Sequence, residues 1–265
     1  IDYVNNFDIK KNGIQLKESE TEIEIRVDVF RSTPVFLFLE AKNKVHVFDN
    51  LSYFYLNKTF KKKIDVVGFW EIILFETSLW TRTLYKNFYQ LPSASILIIN
   101  KTNYEFKIER YWDFNVKVDP EIRDINIAAE KINSKLENIA KNLDKNDNYV
   151  MGLSGGLDSR ISLAYITKFI DKEKIKLFTY GYSKKSLEYN ISKKICKVLN
   201  LMVPEFHALT YWSYKKALKY LPLKSVGQIG INHCHIIDYF NDNPIGGRTY
   251  ISNYFSDAIF GYECN

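Results

Sequence analysis

Six consecutive residues, Ser154-Gly155-Gly156-Leu157-Asp158-Ser159, concentrate more chemistry than any other stretch of this 265-residue chain. Paired glycines remove Cβ atoms, so that successive backbone N–H groups can turn inward as a nest for an anion. The hydroxyls of Ser154 and Ser159 add donors suited to phosphate oxygens. Asp158 is out of place beside an anion unless a divalent cation lies between them. Mg²⁺ takes one or two protein carboxylates together with phosphate oxygens and waters. The plainer alternative is a glycine turn in which Asp158 or Ser159 only caps a helix. The complete hexapeptide at the end of a strand favours the phosphate site, and it is not a Walker A loop, because no G-K-[ST] follows.

The elements that must position this loop can be read from periodicity. An apolar run, Tyr149–Leu153, enters it as a strand, and a helix to about Phe169 leaves it, which places a partial positive charge at the loop. Upstream, Asp119-Pro120 starts a helix whose stripe is Ile125, Ala128, Ile132, Leu136, Ile139 and Leu143. Downstream come a strand at Lys174–Tyr180, a helix at Ser186–Leu199, a strand at Met202–Leu209, helices at Tyr211–Tyr220 and Gln228–Phe240, and a strand at Thr249–Ser252. Alternation of this kind predicts βαβ units on a parallel sheet.

Before about residue 118 the texture differs. Thr21–Phe30 and Lys44–Phe48 alternate, Pro34–Glu40 is a buried-looking run, and Ser95–Asn100 with Tyr104–Ile108 flank Lys101-Thr102-Asn103 as a hairpin. One helix, Asp65–Ser78, puts Val66, Phe69, Trp70, Ile73 and Leu74 on one face, the pattern of a helix packing on a sheet. The expected organisation is a smaller, β-rich α+β domain over 1–118 and an α/β, parallel-sheet nucleotide-binding domain over 119–265.

The hexapeptide resembles that of the PP-loop ATP pyrophosphatases (adenine nucleotide α-hydrolase-like), and within them the asparagine synthetase and β-lactam synthetase-like family. Two further passages carry the narrower likeness. Ile251 to Tyr262 is similar to that family's second pyrophosphate motif, and Thr83 to Ala94, with Arg110-Tyr111-Trp112, is similar to the stretch in which its N-terminal domain ends. The resemblance is strong over Tyr149–Arg160 and weak elsewhere.

It implies adenylation of a substrate carboxylate by MgATP, release of pyrophosphate, and capture of the acyl-adenylate by an amine or ammonia. Matched residue by residue, ATP and pyrophosphate fall to Ser154, Gly155, Gly156, Leu157, Asp158, Ser159, Ser256 and Asp257. The AMP part falls to Leu153, Tyr180, Gly181, Ser252 and Asn253, and Mg²⁺ to Asp158 and Asp257. Glu188 takes the acidic position that opens the following helix, or is simply a first-turn carboxylate.

Several departures shape that expectation. Family members with glutaminase activity begin with a nucleophilic cysteine, whereas this chain begins with Ile1 and its first cysteine is Cys196. The reading is therefore a synthetase without its own glutaminase, its N-terminal part a shortened amidotransferase-like relic. Asn253, Tyr254 and Phe255 replace small residues of the second motif, and Ala258 stands where Glu is frequent. The chain reads as a trimmed one, without an initiator Met and ending at Asn265 ahead of the region where family synthetases carry a phosphate-neutralising lysine. It is then a fragment, is impaired in turnover, or uses another base, for which Arg160, Lys184, Lys185 and Arg248 are the nearby candidates.

Composition bounds the alternatives. With 46% apolar and 26% charged residues and a mean hydropathy of -0.25, the chain is neither disordered nor fibrous. No apolar run reaches the roughly 20 residues of a membrane helix. Three scattered cysteines encode no disulfide framework and fit a reducing, cytoplasmic setting. The net charge of +6 interleaves bases with acids, and its densest run, Lys58 to Lys63, is short, which argues against nucleic acid as the ligand.

His233-Cys234-His235 lacks zinc spacing and reads as core or pocket lining, Cys196 as a packing thiol despite Lys194 and Lys197, and His46 and His207 show no triad partner. Tyr53, Phe54, Tyr55, Phe88 and Tyr89 read as core, and Trp212, Tyr214, Leu218 and Leu221 as a packing face. The partners expected are ATP and a small carboxylate or amino-acid-like substrate, with the nitrogen donor open, no membrane, and a homodimer as a way to cover edge strands. Two rival readings stay open: a non-catalytic nucleotide-binding paralogue, and another PP-loop enzyme such as a tRNA-modifying one.

Overall fold

Apolar and polar residues alternate through most strands of the first half, so each sheet can bury one face. In the computed structural model, whose described residues are 13–41, 44–114, 124–225 and 234–253, this gives β1 (Ile14–Glu18), β2 (Glu22–Val27), β3 (Phe36–Ala41), β4 (Lys44–Phe48), β5 (Phe88–Gln90), β6 (Ser95–Asn100) and β7 (Phe106–Arg110). One antiparallel sheet runs β1-β2-β6-β7 and the other β4-β3-β5. Ile23, Ile25 and Val27 meet Leu37, Val45 and Val47 between them. The second sheet's other face carries Phe36, Phe38, Phe48 and Phe88, packed with Phe54 of α1 (Leu51–Leu56) and with Phe60. The Phe54 and Phe88 rings stack at 4.1 Å. The expected hairpin is β6–β7, and the clustered aromatics are core.

The helix expected at Asp65–Ser78 forms as α2 (Val66–Phe75), but it does not lay its apolar face on a sheet. Val66, Phe69, Trp70, Ile73 and Leu74 are 42–69% exposed, and only Gly68 is buried. The cause is a backbone contact. A Cβ on Gly68 would stand 2.1 Å from the Thr83 carbonyl oxygen, so the glycine lets the two chains meet directly. Polar contacts complete the attachment: Gly68 N–H donates to the Asp65 carboxylate at 2.9 Å, and Arg82 Nη1 lies 2.6 Å from Glu71 Oε1.

The second half builds α3 (Ile125–Lys141), β8 (Tyr149–Gly152), α4 (Leu157–Ile166), β9 (Ile175–Gly181), α5 (Leu187–Leu199), β10 (Glu205–Ala208), α6 (Tyr211–Ser225), α7 (Cys234–Asp242) and β11 (Thr249–Ile251). The strands form one parallel sheet in the order β10-β9-β8-β11. Tyr149, Met151 and Leu177 bury one face under Leu163 and Ile166 of α4 and Cys196 of α5. On the other face Val150 and Phe178 pack against Tyr239 of α7. The protein is thus an α/β parallel-sheet domain preceded by antiparallel β-rich sheets.

By contact the chain separates into Ile1–Val116 with Lys216–Cys234, and Lys117–Lys215 with His235–Asn265. Two packing expectations differ from the structure. The α3 stripe is largely outward, with Ile125, Ile132 and Ile139 exposed and Ala140 buried, because the small residue permits the closer approach. Asp124 caps this helix, while Asp119-Pro120 lies outside the described residues. In α6, Trp212 and Leu218 are exposed, whereas the smaller Ser213 and Ala217 are buried.

Candidate functional site

The loop 154–159 leaves the carboxyl end of β8, and its entry is tightly held. Leu153 N–H donates to the Phe178 carbonyl at 2.8 Å, and the Leu153 carbonyl accepts from Thr179 Oγ1 at 2.7 Å and Ser192 Oγ at 3.0 Å. Within the loop, Ser154 Oγ and Ser159 Oγ are 3.1 Å apart, Ser154 N–H reaches Ser159 Oγ at 3.2 Å, and Gly156 N–H reaches Ser154 Oγ at 3.1 Å. The two hydroxyls therefore brace the loop from inside, and Ser159 is buried.

The glycines act differently from the nest expected of them. Neither lies in the left-handed region, and Gly156 has φ −69° and ψ 161°. Gly155 is favoured by proximity instead, since a Cβ there would stand 3.2 Å from the flexible Ile191 Cδ1 and 3.5 Å from Glu188 Cα. Gly156 occupies the N-cap of α4, and no side chain caps that helix. Among the described residues its first-turn N–H groups thus have no side-chain acceptor, beside the exposed Leu157 and the half-buried Asp158. Arg160 Nε donates to the Gly156 carbonyl at 3.1 Å, which brings a fixed cation to the loop.

The sheet's connections converge on the same place. From β8 the chain crosses to β9 through α4 on one face, whereas α7, on the opposite face, precedes β11, the other neighbour of β8. The carboxyl ends of β8 and β11 flank the point where the crossovers diverge, the position at which open α/β sheets take ligands. Ser162 of α4 donates to the Asn253 side-chain oxygen at 2.6 Å and so ties the end of β11 to the loop's own helix.

The structure places the AMP candidates unevenly. The Leu153 side chain belongs to the core, so only its backbone faces the loop. Tyr180 lies on the opposite sheet face, and burial raises its phenol above the ordinary range, with Glu188 and then Tyr250 adding to the shift. Gly181 ends β9, Ser252 is exposed and Asn253 half-buried. Ser256 and Asp257 lie outside the described residues, as does His233.

No group of three His, Cys, Asp or Glu side chains suited to a metal occurs among the described residues. Asp158 fits Mg²⁺ as one of its few protein carboxylates, the rest of the shell being phosphate and water. Thr179, Ser192 and Ser162 are the supporting residues that sequence reasoning missed. The spacing of Ser162, three positions after Ser159, was the available signal for a shared helix face.

The remaining titratable groups do other work. Cys196 is buried, and desolvation pushes its thiol up to about 11, which fits a packing role. His46 Nε2 lies 2.8 Å from Glu40 and His207 Nε2 lies 2.9 Å from Asp238, partners that only the folded chain reveals.

No family model matches this chain, and no curated protein does. Among solved structures, the NH3-dependent NAD synthetase of Campylobacter jejuni subsp. jejuni NCTC 11168, in complex with the nitrate ion, aligns at 19% identity and a TM-score of 0.31. That alignment covers 52% of this chain and 61% of the synthetase. The glutamine-dependent NAD+ synthetase of Acinetobacter baumannii, in complex with adenosine diphosphate, aligns at 13% identity and a TM-score of 0.35, over 68% of this chain and 32% of its own. The chain spans less than two thirds of the length of either enzyme.

Proposed function

We propose that this chain is an ATP-dependent, AMP-forming carbon–nitrogen ligase of the asparagine synthetase type, acting on a small carboxylate and lacking its own glutaminase. The observation that carries the reading is the braced glycine loop feeding the uncapped start of α4 where the sheet's crossovers diverge. Backbone N–H groups there suit the β- and γ-phosphates of ATP. Asp158, with Asp257 from the second motif, would hold Mg²⁺, which supplies charge neutralisation to the departing pyrophosphate.

In this reading a substrate carboxylate oxygen attacks the α-phosphorus, the bond to the bridging oxygen breaks, and pyrophosphate leaves along the loop. An amine or ammonia then displaces AMP at the acyl carbon to give the amide. Arg160, held at the loop by the Gly156 carbonyl, lies closest in sequence to the phosphates among the basic candidates. In the same reading Gly181, at the end of β9, would lie against the AMP part.

ATP–pyrophosphate exchange with Mg²⁺, against a panel of amino acids and other carboxylates, tests the reading. Exchange with one acid, abolished in Asp158→Ala, is the expected result. ATP binding without exchange by any acid favours the non-catalytic nucleotide-binding reading. Absence of ATP binding in calorimetry removes both.

A further inference from the structure

α2 is an unusual thing to find on the outside of a fold. Of its ten residues only Glu71 is charged, and that carboxylate is turned inward, 2.6 Å from Arg82 and accepting the Leu79 N–H at 3.0 Å. The apolar residues are left to solvent, Leu74 at 69% and Trp70 at 54% exposure, and the surface continues through Leu79 and Trp80. Apolar patches of this kind mark interaction sites. A helix of ten residues rises about 15 Å, half of the roughly 30 Å hydrocarbon layer, so it is too short to cross a bilayer.

The chemistry beside α2 says what would cover it. Between Lys58 and Lys86 the chain has six basic and three acidic residues. Two of the acids are engaged, Asp65 as the cap of α2 and Glu71 with Arg82. Lys61, Lys63 and Lys86 border a cleft of about 380 Å³ against Phe38 and Leu39, and none of the three has an ion-pair partner among the described residues. The cleft's one carboxylate, Glu40, is held by His46 at 2.8 Å and Lys44 at 3.3 Å. Lys86 N–H donates to the Lys63 carbonyl at 2.8 Å and Asp65 N–H to the Leu84 carbonyl at 2.9 Å. Lys63 and Lys86 thus sit side by side on a short ladder that runs directly into α2.

We propose that α2 and the lysine-lined cleft dock this chain onto a membrane surface rich in anionic phospholipid. Headgroup phosphates are taken between Lys63 and Lys86. The α2 side chains enter the boundary between headgroups and acyl chains, where Trp70 and Trp80 suit the polar–apolar border. The proposal is independent of the nucleotide site.

The test is co-sedimentation of the intact chain with vesicles of phosphatidylcholine alone and of phosphatidylcholine mixed with phosphatidylglycerol. Trp70 emission is followed in a variant carrying Trp80→Phe, Trp112→Phe and Trp212→Phe. Binding to the mixed vesicles with a blue shift is expected. At about fivefold per lysine, Lys61→Gln/Lys63→Gln/Lys86→Gln weakens binding by about 100-fold. Leu74→Ser also weakens it, without lowering the thermal midpoint. No binding to mixed vesicles, or equal binding to both kinds, overturns the proposal. So does a lower midpoint in Leu74→Ser, which means the side chain is buried in the fold. A dimer in light scattering that Leu74→Ser dissociates assigns the face to a second copy and likewise overturns it.

Discussion

α2 and α4 are both ten residues long, and a glycine lets each segment approach a neighbour closely, yet their starts are opposites. At α2 the Asp65 carboxylate takes the Gly68 N–H, so the positive end of the helix is closed. At α4 Gly156 supplies no side chain, the neighbouring hydroxyls are turned into the loop, and the start is open to an anion. Their flanks are reversed as well. α4 buries Ser159, Leu163 and Ile166 in the parallel-sheet unit, whereas α2 buries only Gly68 and turns its apolar residues outward. Whether these two helix starts are closed or open to an anion therefore follows from one cap residue, and burial at the flank does not decide it.

Closing α4 as α2 is closed gives the largest expected effect. Gly156→Asp suits the backbone angles, and the atom a new Cβ would meet, Ser154 Oγ at 3.1 Å, has to shift by a few tenths of an ångström. The carboxylate would take the first-turn N–H groups and set a negative charge against the triphosphate. ATP affinity in calorimetry is expected to fall about 100-fold, while stability in thermal melts holds or rises by a few tenths of a kcal/mol. Unchanged affinity would mean that phosphate does not sit on this helix start.

The two glycines give the next contrast. Gly68→Ala drives a methyl into the Thr83 carbonyl, a backbone atom that can move only with its strand, and is expected to destabilise the N-terminal unit by about 2 kcal/mol, or roughly 10 °C. Gly155→Ala meets first the flexible tip of Ile191 and is expected to lose less than about 1 kcal/mol. Equal losses in thermal melts would show that the two close approaches are not different in kind.

The contrast also marks what was legible in the amino-acid order. The loop 154–159 and the strand before it are local signals, and α5 ends at Leu199 as its pattern requires. The outward face of α2 was not legible. Its 3.6-residue period is that of a helix lying on a sheet, and the backbone contact of Gly68 with Thr83 joins residues fifteen apart whose meeting no periodicity encodes. The inward role of the Ser154 and Ser159 hydroxyls was hidden for a related reason, since a hydroxyl donates equally well to a phosphate or to the loop itself. The carboxylate partners of His46 and His207 are set by folding, with Asp238 reached from a helix 31 residues away.

The smallest effect separates the loop from its neighbouring strand. Ser162 Oγ donates to the Asn253 side-chain oxygen, and Asn253 leads from β11 toward Ser256 and Asp257. One hydrogen bond of this kind is worth about 1 kcal/mol, close to fivefold in an equilibrium. Ser162→Ala is expected to weaken MgATP by about two- to fivefold. If Asp257 acts through the metal as proposed, and Asn253 adds little at the AMP part, binding of ATP without Mg²⁺ should change less than binding of MgATP. An equal loss with and without Mg²⁺ would place the effect on α4 itself. The proposed link between the end of β11 and the metal would then fall.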